Sequence, residues 1–220
     1  MLERVLEPEV MDTPDEAEAY AQMDHAAVNG AFVERLLELG AQGRMLDIGT
    51  GPGHIPCLIV KELSDASVVA VDLAQHMLRV AEELREQSVD PQRIELEVAD
   101  AKALPYPDAS FDTVYSNTIL HHIPEPEQML GEAYRVLRPG GVLLIRDLMR
   151  PSSEEELNHL VALHAADEND LQRGLFRDSL HAALTPEEVM KIVNDLGMEG
   201  AEVTRDSDRH LSLQIRRRNG

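Results

Sequence analysis

The stretch MLDIGTGPGHIP, residues 45–56, decides how this chain folds. Met45, Leu46 and Ile48 are apolar and indicate a buried strand, and the glycines that follow allow a sharp turn and a close approach of the backbone to a ligand. The glycine spacing is G-x-G-x-G, whereas a dinucleotide-binding turn has G-x-G-x-x-G. Asp47 precedes the first glycine by two residues, and its carboxylate suits a ligand that carries an ammonium group. A tight strand-to-helix connection without a ligand is the alternative interpretation.

A second strand follows about twenty residues later. Residues 68–71 form an apolar run typical of parallel strands that are buried on both faces, and Asp72 ends the run. An acid at this position can accept hydrogen bonds from both hydroxyls of a ribose. It can also serve as the N-cap of the helix that we predict over residues 74–87.

The rest of the chain alternates between strand and helix patterns. Further strands are predicted at residues 94–98, 111–117, 142–148, 198–206 and 209–217, the last two as an antiparallel pair. Further helices are predicted from Ala31 to Leu39, over residues 152–173, and from Thr185 to Gly197. This alternation indicates an α/β fold with a parallel sheet.

The segments MLDIGTGPGHIP, AVDLAQHML, FDTVYSN and RVLRPGGVLLI, in this order, resemble the class I S-adenosylmethionine-dependent methyltransferases. Within that family the resemblance is to the branch that methylates quinones and other small molecules, and it covers roughly residues 40–150. It implies a Rossmann-like, seven-stranded, mostly parallel sheet of order 3-2-1-4-5-7-6, with strand 7 antiparallel and helices on both faces. It also implies S-adenosylmethionine as the cofactor and in-line transfer of its methyl group to a small-molecule acceptor.

The resemblance also implies where the cofactor binds. Its ammonium end is expected by Asp47 and Gly49, its ribose on Asp72, and its adenine by Asp100 and Ala101. The full set of expected cofactor-binding residues is Asp47, Gly49, Thr50, Gly51, Gly53, Asp72, Leu73, Met77, Asp100, Ala101, Asn117 and His122.

Two histidines follow strand 4, at the edge where open α/β sheets bind their ligands. A histidine beside the transferred methyl group can take a proton from the acceptor, so the catalytic candidates are His121, His122 and Asp147. In the alternative interpretation His122 packs beside the cofactor and His121 caps the next helix. No metal site is expected, because adjacent histidines on a helix point about 100° apart.

Basic side chains near the same edge are candidates for binding the acceptor. An arginine can hold a carboxylate or a phosphate, although an internal ion pair with Asp147 or Asp206 is the alternative. The candidate substrate-binding residues are His25, Arg150, Arg209 and His210.

Length and composition limit the remaining possibilities. A chain of 220 residues fits a single domain, in which residues 1–40 are expected to form an N-terminal helical cap and residues 151–180 a lid. The net charge of −21 argues against a nucleic-acid substrate. The single cysteine, Cys57, excludes an internal disulfide framework, and no apolar run has the length of a membrane span. The N-terminal segment lacks the pattern of a signal peptide, so we expect a cytoplasmic protein. A homodimer is considered as a possible state of assembly.

Two other functions stay open on the sequence alone. One is a regulatory or partner protein that binds S-adenosylmethionine without methylating anything. The other is a nicotinamide-dependent oxidoreductase, which the glycine spacing and the lack of a Tyr-x-x-x-Lys pair oppose.

Overall fold

A seven-stranded sheet of order β3-β2-β1-β4-β5-β7-β6 organises the chain. The structure, a computed structural model, describes residues 2–8 and 26–217. Parallel pairing joins β3, β2, β1, β4 and β5, and β7 is antiparallel to both β5 and β6. The predicted strand order and the antiparallel strand 7 are therefore confirmed. The strands are β1 (Arg44–Ile48), β2 (Ser67–Asp72), β3 (Ile94–Val98), β4 (Phe111–Asn117), β5 (Leu137–Leu148), β6 (Ala201–Arg205) and β7 (His210–Arg216).

Helices cover both faces of the sheet. Phe32 and Ile59 pack with Met45 on one face, whereas Leu130 and Ile48 belong to the core on the other face. Alternate residues of each strand point to opposite faces of the sheet, and helices cover both faces. The central strands are therefore apolar at consecutive positions. The α-helices are α1 (Ala26–Glu38), α2 (His54–Glu62), α3 (Gln75–Glu86), α4 (Pro126–Val136), α5 (Glu154–His164), α6 (Asp170–Ala182) and α7 (Pro186–Asp195), and short 3₁₀-helices lie at Pro91–Arg93 and Leu120–His122.

The prediction of one helix over residues 152–173 was wrong, because this region contains α5 and the first part of α6. Ser153 is the N-cap of α5, and its side chain accepts a hydrogen bond from the backbone of Glu156. Asn169 caps α6 in the same way and forms a reciprocal capping box with Gln172. A second N-cap inside the run satisfies the N–H groups of a new helix and so permits the break.

The N-terminal segment, residues 2–8, is anchored on the face formed by α5 and α6. The Leu2 N–H donates to the carbonyl that precedes α5, at 3.1 Å. The Arg4 guanidinium donates to the carbonyls of Ala182 at 2.7 Å and Ile123 at 2.9 Å. These bonds tie the segment to the end of α6 and to the loop after β4. The description of the N-terminal region as a cap and of residues 151–180 as a lid stays a prediction.

Within residues 2–8 and 26–217, no helix has both the length and the apolarity needed to cross a bilayer.

Candidate functional site

The glycine turn between β1 and α2 is fixed against the end of β2. The N–H groups of Gly49 and Thr50 donate to the Val71 carbonyl at 2.8 and 2.9 Å. The Gly51 N–H donates to Asp72 Oδ2 at 2.8 Å. A Cβ atom added at Gly51 would meet nothing within 4 Å, so the turn faces open space at this residue. This space lies where the carboxyl ends of β1 and β2 meet.

Asp47 is the most unusual polar group of this turn. It is 1% exposed, and its burial raises the pKa of the carboxyl to about 8. Among the residues that the structure describes, neither Asp47 Oδ2 nor Thr50 Oγ1 has a hydrogen-bond partner. A buried carboxylate without a partner is costly. An ammonium group from a ligand would supply the missing partner, so this site fits the amino end of S-adenosylmethionine.

Two further acids follow β2 and β3. Asp72 Oδ1 accepts the Ala74 N–H at 2.9 Å, and the neighbouring Leu73 is 41% exposed. Asp100 Oδ1 accepts the Lys102 N–H at 2.9 Å and lies 2.9 Å from Lys102 Nζ. Burial by itself would raise the pKa of Asp100, but the contacts with Lys102 hold it below its usual range. Asp100 is thus ionised at the edge where the resemblance expects the adenine, and Asp72 lies at the end of β2, where it expects the ribose.

The other expected cofactor residues lie around the same edge. Gly53, with φ +82°, ends the turn, and Met77 is buried on α3. Asn117 ends β4, and the Thr118 that follows has φ +67°, a conformation that is rare for a β-branched residue. The Ile119 side chain lies so close to Gly49 that a Cβ atom added at Gly49 would clash with it. The loop after β4 is therefore held against the glycine turn.

His121, in the loop after β4, and Asp147, near the end of β5, form a buried pair. His121 is 3% exposed, and its Nδ1 lies 2.5 Å from Asp147 Oδ1. Burial alone would lower the pKa of His121, but the charges of Asp147 and Glu7 raise it above its ordinary value. Burial would likewise raise the pKa of Asp147, yet His121 and nearby backbone N–H groups lower it. The short contact between the two side chains fixes the orientation of the ring, with Nδ1 toward Asp147.

Glu7 joins the two histidines. Its Oε1 lies 3.3 Å from His121 Nε2 and 3.2 Å from His122 Nδ1, and the two rings are tilted with centroids 4.1 Å apart. Burial, and then the charge of His121, lower the pKa of His122 to about 4, and burial raises the pKa of Glu7. The premise that the adjacent rings point apart was wrong, because both face one carboxylate.

The predicted substrate residue Arg150 is turned into the protein. Its side chain is 3% exposed, donates to the carbonyls of Leu2 at 3.0 Å and Ala183 at 2.8 Å, and forms an ion pair with Glu188. The internal ion pair considered as the alternative is present, but its partner is Glu188 and not Asp147 or Asp206. This arrangement favours a structural role for Arg150.

Arg209 and His210 lie at the start of β7. The Arg209 guanidinium contacts His164 Nδ1, lies 3.7 Å from Asp208 Oδ1, and keeps 26% of its side chain exposed. His210 Nδ1 lies 2.9 Å from the Ser207 hydroxyl, and burial lowers the pKa of this histidine to about 4. Of the remaining substrate candidates, His25 lies outside the residues that the structure describes.

Two residues of this region were missed by the sequence reasoning. Arg146 lies beside Asp147, and its Nε is buried, 3.6 Å from Asp206 Oδ2. One arginine inside the apolar strand VLLIRDL was a usable signal for it. Glu7 carried no signal, because its position among ordinary N-terminal charges gives no hint of a contact more than a hundred residues away.

Comparison with known proteins decides the family. Residues 46–145 match the model of a family described as a methyltransferase domain. Residues 46–145 therefore form a methyltransferase domain. This confirms the resemblance drawn from the glycine turn and the segments that follow it, and it opposes the oxidoreductase alternative. The matched residues run from β1 to β5 and include the glycine turn, the three acids and both histidines.

Two relatives of the chain have names that describe methyl transfer to small molecules. The chain is 38% identical over 114 residues to a 27-O-demethylrifamycin SV methyltransferase of Amycolatopsis mediterranei, which covers 52% of this chain and 42% of the relative. It is 36% identical over 111 residues to a demethylmenaquinone methyltransferase of Thermus thermophilus, which covers 50% of each. The chain thus spans half or less of the length of these relatives.

A solved structure shows the same fold over nearly the whole chain. A candidate S-adenosyl-L-methionine-dependent methyltransferase of Methanococcus maripaludis superposes with a TM-score of 0.75, at 19% identity, and covers 98% of both chains. At this identity the likeness shows the fold alone, and the roles of individual residues must be argued from the site.

Proposed function

We propose that this chain binds S-adenosylmethionine and transfers its methyl group to a small-molecule acceptor. The observation that carries the proposal is the buried carboxylate of Asp47, whose Oδ2 has no hydrogen-bond partner among the described residues and which adjoins the open space at Gly51. A cationic ligand with a compact end at the glycine turn satisfies both features. The family match and the names of the relatives agree with this chemistry.

The proposed cofactor placement follows the three acids. The ammonium group pairs with Asp47, the ribose hydroxyls donate to Asp72, and the adenine lies by Asp100 and Ala101, with the exposed Leu73 against the nucleoside. A carboxylate has about four acceptor sites, so the backbone donors already on Asp72 are compatible with further ones. Bound in this way, the cofactor supplies an activated methyl group at the carboxyl ends of β1 and β4.

Catalysis is proposed to depend mainly on positioning. Holding the acceptor in line with the methyl carbon can supply roughly 7–11 kcal/mol. His122 is neutral at neutral pH because its pKa is lowered, and we propose that its ring contacts the acceptor. His121 and Asp147 then act as positioning residues, because their buried contact fixes the neighbouring ring.

The acceptor is proposed to be a small acidic or hydroxylated molecule. The net charge of −21 opposes nucleic acid, and the partly exposed guanidinium of Arg209 is a donor for an acidic or hydroxyl group. Calorimetry with S-adenosylhomocysteine tests cofactor binding, and release of S-adenosylhomocysteine across an acceptor panel tests transfer. Binding without turnover would support the alternative, a regulatory or partner protein, whereas no binding at all would reject the proposal.

Replacing Gly51 tests where the cofactor lies. Gly51→Ala is expected to weaken S-adenosylmethionine binding about 10-fold or more, because the added methyl group enters the space assigned to the ligand. Gly40→Ala is the matched control, since Gly40 also has a positive φ, +84°, and open space around it. Both variants are expected to lose about 1–2 kcal/mol of stability from the left-handed backbone. Equal affinities of the two variants by calorimetry would reject the placement.

Replacing Arg209 tests the acceptor site. Arg209→Gln is expected to lower kcat/KM about 10-fold or more while cofactor affinity stays unchanged. Arg205→Gln, at an exposed arginine on β6, is the control and is expected to behave as wild type. If Arg209→Gln loses stability and cofactor affinity together, its contacts with His164 and Asp208 are structural and the assignment fails.

Cytoplasmic location and self-association as a homodimer also stay predictions. Light scattering on the purified chain tests the second: a mass of one chain, 24.5 kDa, would reject the dimer.

A further inference from the structure

We propose that Glu7, His121 and His122 form a binding site for a divalent transition-metal ion, with Zn²⁺ as the probe that fits best. Among the described residues, these three offer ligand atoms that all lie within 4.8 Å of one another. None of the three acids at the cofactor edge takes part in this cluster, and His122 is the one member that is also an expected cofactor contact. The metal site goes beyond the proposed methyl transfer and does not depend on it.

Two of the three separations within the cluster match those of a zinc site. Zinc binds imidazole nitrogen and carboxylate oxygen at about 2.0–2.2 Å, so two ligand atoms at adjacent corners of a tetrahedron lie about 3.3–3.5 Å apart. Glu7 Oε1 lies 3.3 Å from His121 Nε2 and 3.2 Å from His122 Nδ1. One ion can therefore join the carboxylate to either ring, and it can hold all three once the two ring nitrogens, which lie within 4.8 Å of each other, are drawn together.

Hydrogen bonding among the described residues leaves two of the three ligand atoms without a partner. Among the described residues, Glu7 Oε1 and His122 Nδ1 are buried without a hydrogen-bond partner, although they are only 3.2 Å apart. Buried polar atoms normally have a partner, and leaving one without is costly. A cation between the carboxylate oxygen and the ring nitrogen would satisfy both atoms at once.

Outer contacts orient two of the three ligands. His121 uses Nδ1 for Asp147, which leaves Nε2 directed at the cluster. Glu7 accepts the Ser179 hydroxyl at 3.2 Å through Oε2, which leaves Oε1 for the ion. Carboxylate–histidine–metal arrangements of this type fix the ring and raise its basicity. The anchored segment 2–8 brings the carboxylate to the rings.

The donor set selects the class of ion. Two imidazoles and one carboxylate favour zinc and its neighbours over Mg²⁺ and Ca²⁺, which prefer oxygen ligands. Three protein ligands are the number found in catalytic zinc sites, where water or substrate completes the coordination. An ion here would lie beyond β4 and β5, on the side assigned to the acceptor, and could bind an acceptor oxygen.

The test uses the full chain, stripped with chelator and free of cofactor. Zn²⁺ is titrated by calorimetry, and bound metal is counted by elemental analysis after gel filtration. We expect one tightly bound zinc per chain, no competition from Mg²⁺, and an affinity loss of at least about 10-fold in Glu7→Gln and His122→Asn. Glu3→Gln and His159→Asn, at exposed residues on the same segment and on α5, are the controls and are expected to keep the wild-type affinity.

Each result supports or overturns the proposal. Failure of the wild type to retain zinc at micromolar free metal rejects it, and so does equal affinity in all four variants, which would place the zinc elsewhere. Circular dichroism confirms that the variants are folded, and Glu7→Gln keeps an acceptor for Ser179. Binding of S-adenosylhomocysteine to the wild type is measured in parallel. If the wild type does not bind S-adenosylhomocysteine, the methyl-transfer proposal is rejected and the zinc result is unaffected.

Discussion

Asp47→Asn is expected to stabilise the cofactor-free chain at alkaline pH. Burial places the pKa of Asp47 at about 8, compared with the ordinary 3.8. The folded state therefore keeps a proton that the unfolded state releases, and the wild-type free energy of unfolding falls as the pH rises from about 4 to about 8. Above that range the cost is on the order of a few kcal/mol. The asparagine amide carries no charge and avoids this loss.

Urea denaturation of the wild type and Asp47→Asn, at about pH 6 and about pH 9, measures the effect. Asp47→Asn should gain free energy of unfolding relative to the wild type when the pH is raised from about 6 to about 9. Other titrating groups are common to both proteins and cancel in this comparison. Asp65→Asn, at an exposed aspartate, is the control and should show no such change. A difference that does not depend on pH would show that the Asp47 carboxyl is ionised or neutral throughout the range.

The same substitution is expected to lower cofactor affinity strongly. Leaving one member of a buried ion pair without its partner costs about 3–5 kcal/mol, which corresponds to about 100-fold to 1000-fold or more in affinity. A variant that gains stability and loses binding cannot be explained by misfolding. Unchanged affinity in calorimetry would show that the ammonium group does not lie at Asp47.

The wild-type affinity should depend on pH in a way that reports the same pair. Below about pH 8 the neutral Asp47 carboxyl must release a proton before it can pair, so affinity should rise about tenfold per pH unit toward that value. Above it the cofactor's α-amino group, with an ordinary pKa of about 7.7–8.0, loses its charge. The affinity should therefore be greatest near pH 8, and Asp47→Asn should lose the rising limb.

The strands and helices were predicted well from the sequence because the signals that mark their ends lie within a few neighbouring residues. Apolar residues that stop at a glycine turn located β1, and an apolar run ended by an acid located β2. The Thr185-Pro186-Glu187-Glu188 run located the start of α7, where Thr185 and Glu188 form a capping box. The strand order came from the resemblance, since spacing alone allows other orders. The break between α5 and α6 could have been found by the same search for caps, because Asn169 and Gln172 have the capping-box spacing.

The contacts around the histidines could not be predicted in this way. Glu7 meets His121 only because Arg4 and Leu2 bind carbonyls of distant segments, and no local pattern encodes those bonds. Arg150 follows a strand end as a substrate residue would, yet its partners come from three separate parts of the chain. Position along the chain predicted which edge of the sheet these side chains occupy, whereas tertiary packing determined what each one binds.

Arg150→Met is expected to destabilise the fold by about 3 kcal/mol or more. The guanidinium is buried, and its loss leaves the Leu2 and Ala183 carbonyls without this donor and Glu188 without its ion pair. Removing one side of a buried charged pair costs about 3–5 kcal/mol, and Glu188, with 39% of its side chain exposed, reduces the effect by remaining hydrated. Methionine keeps an apolar side chain in the space, so the lost polar contacts dominate.

Urea denaturation measures this loss, with Arg173→Met as the matched control. Arg173 is exposed on α6 and lies 4.0 Å from Asp170, so its replacement should change stability by no more than about 0.5 kcal/mol. The double variant Arg150→Met/Glu188→Gln should recover part of the loss, because the carboxylate is no longer left without its partner. If Arg150→Met instead keeps wild-type stability and loses only turnover, the guanidinium acts on the acceptor, and the substrate role first predicted for it is correct.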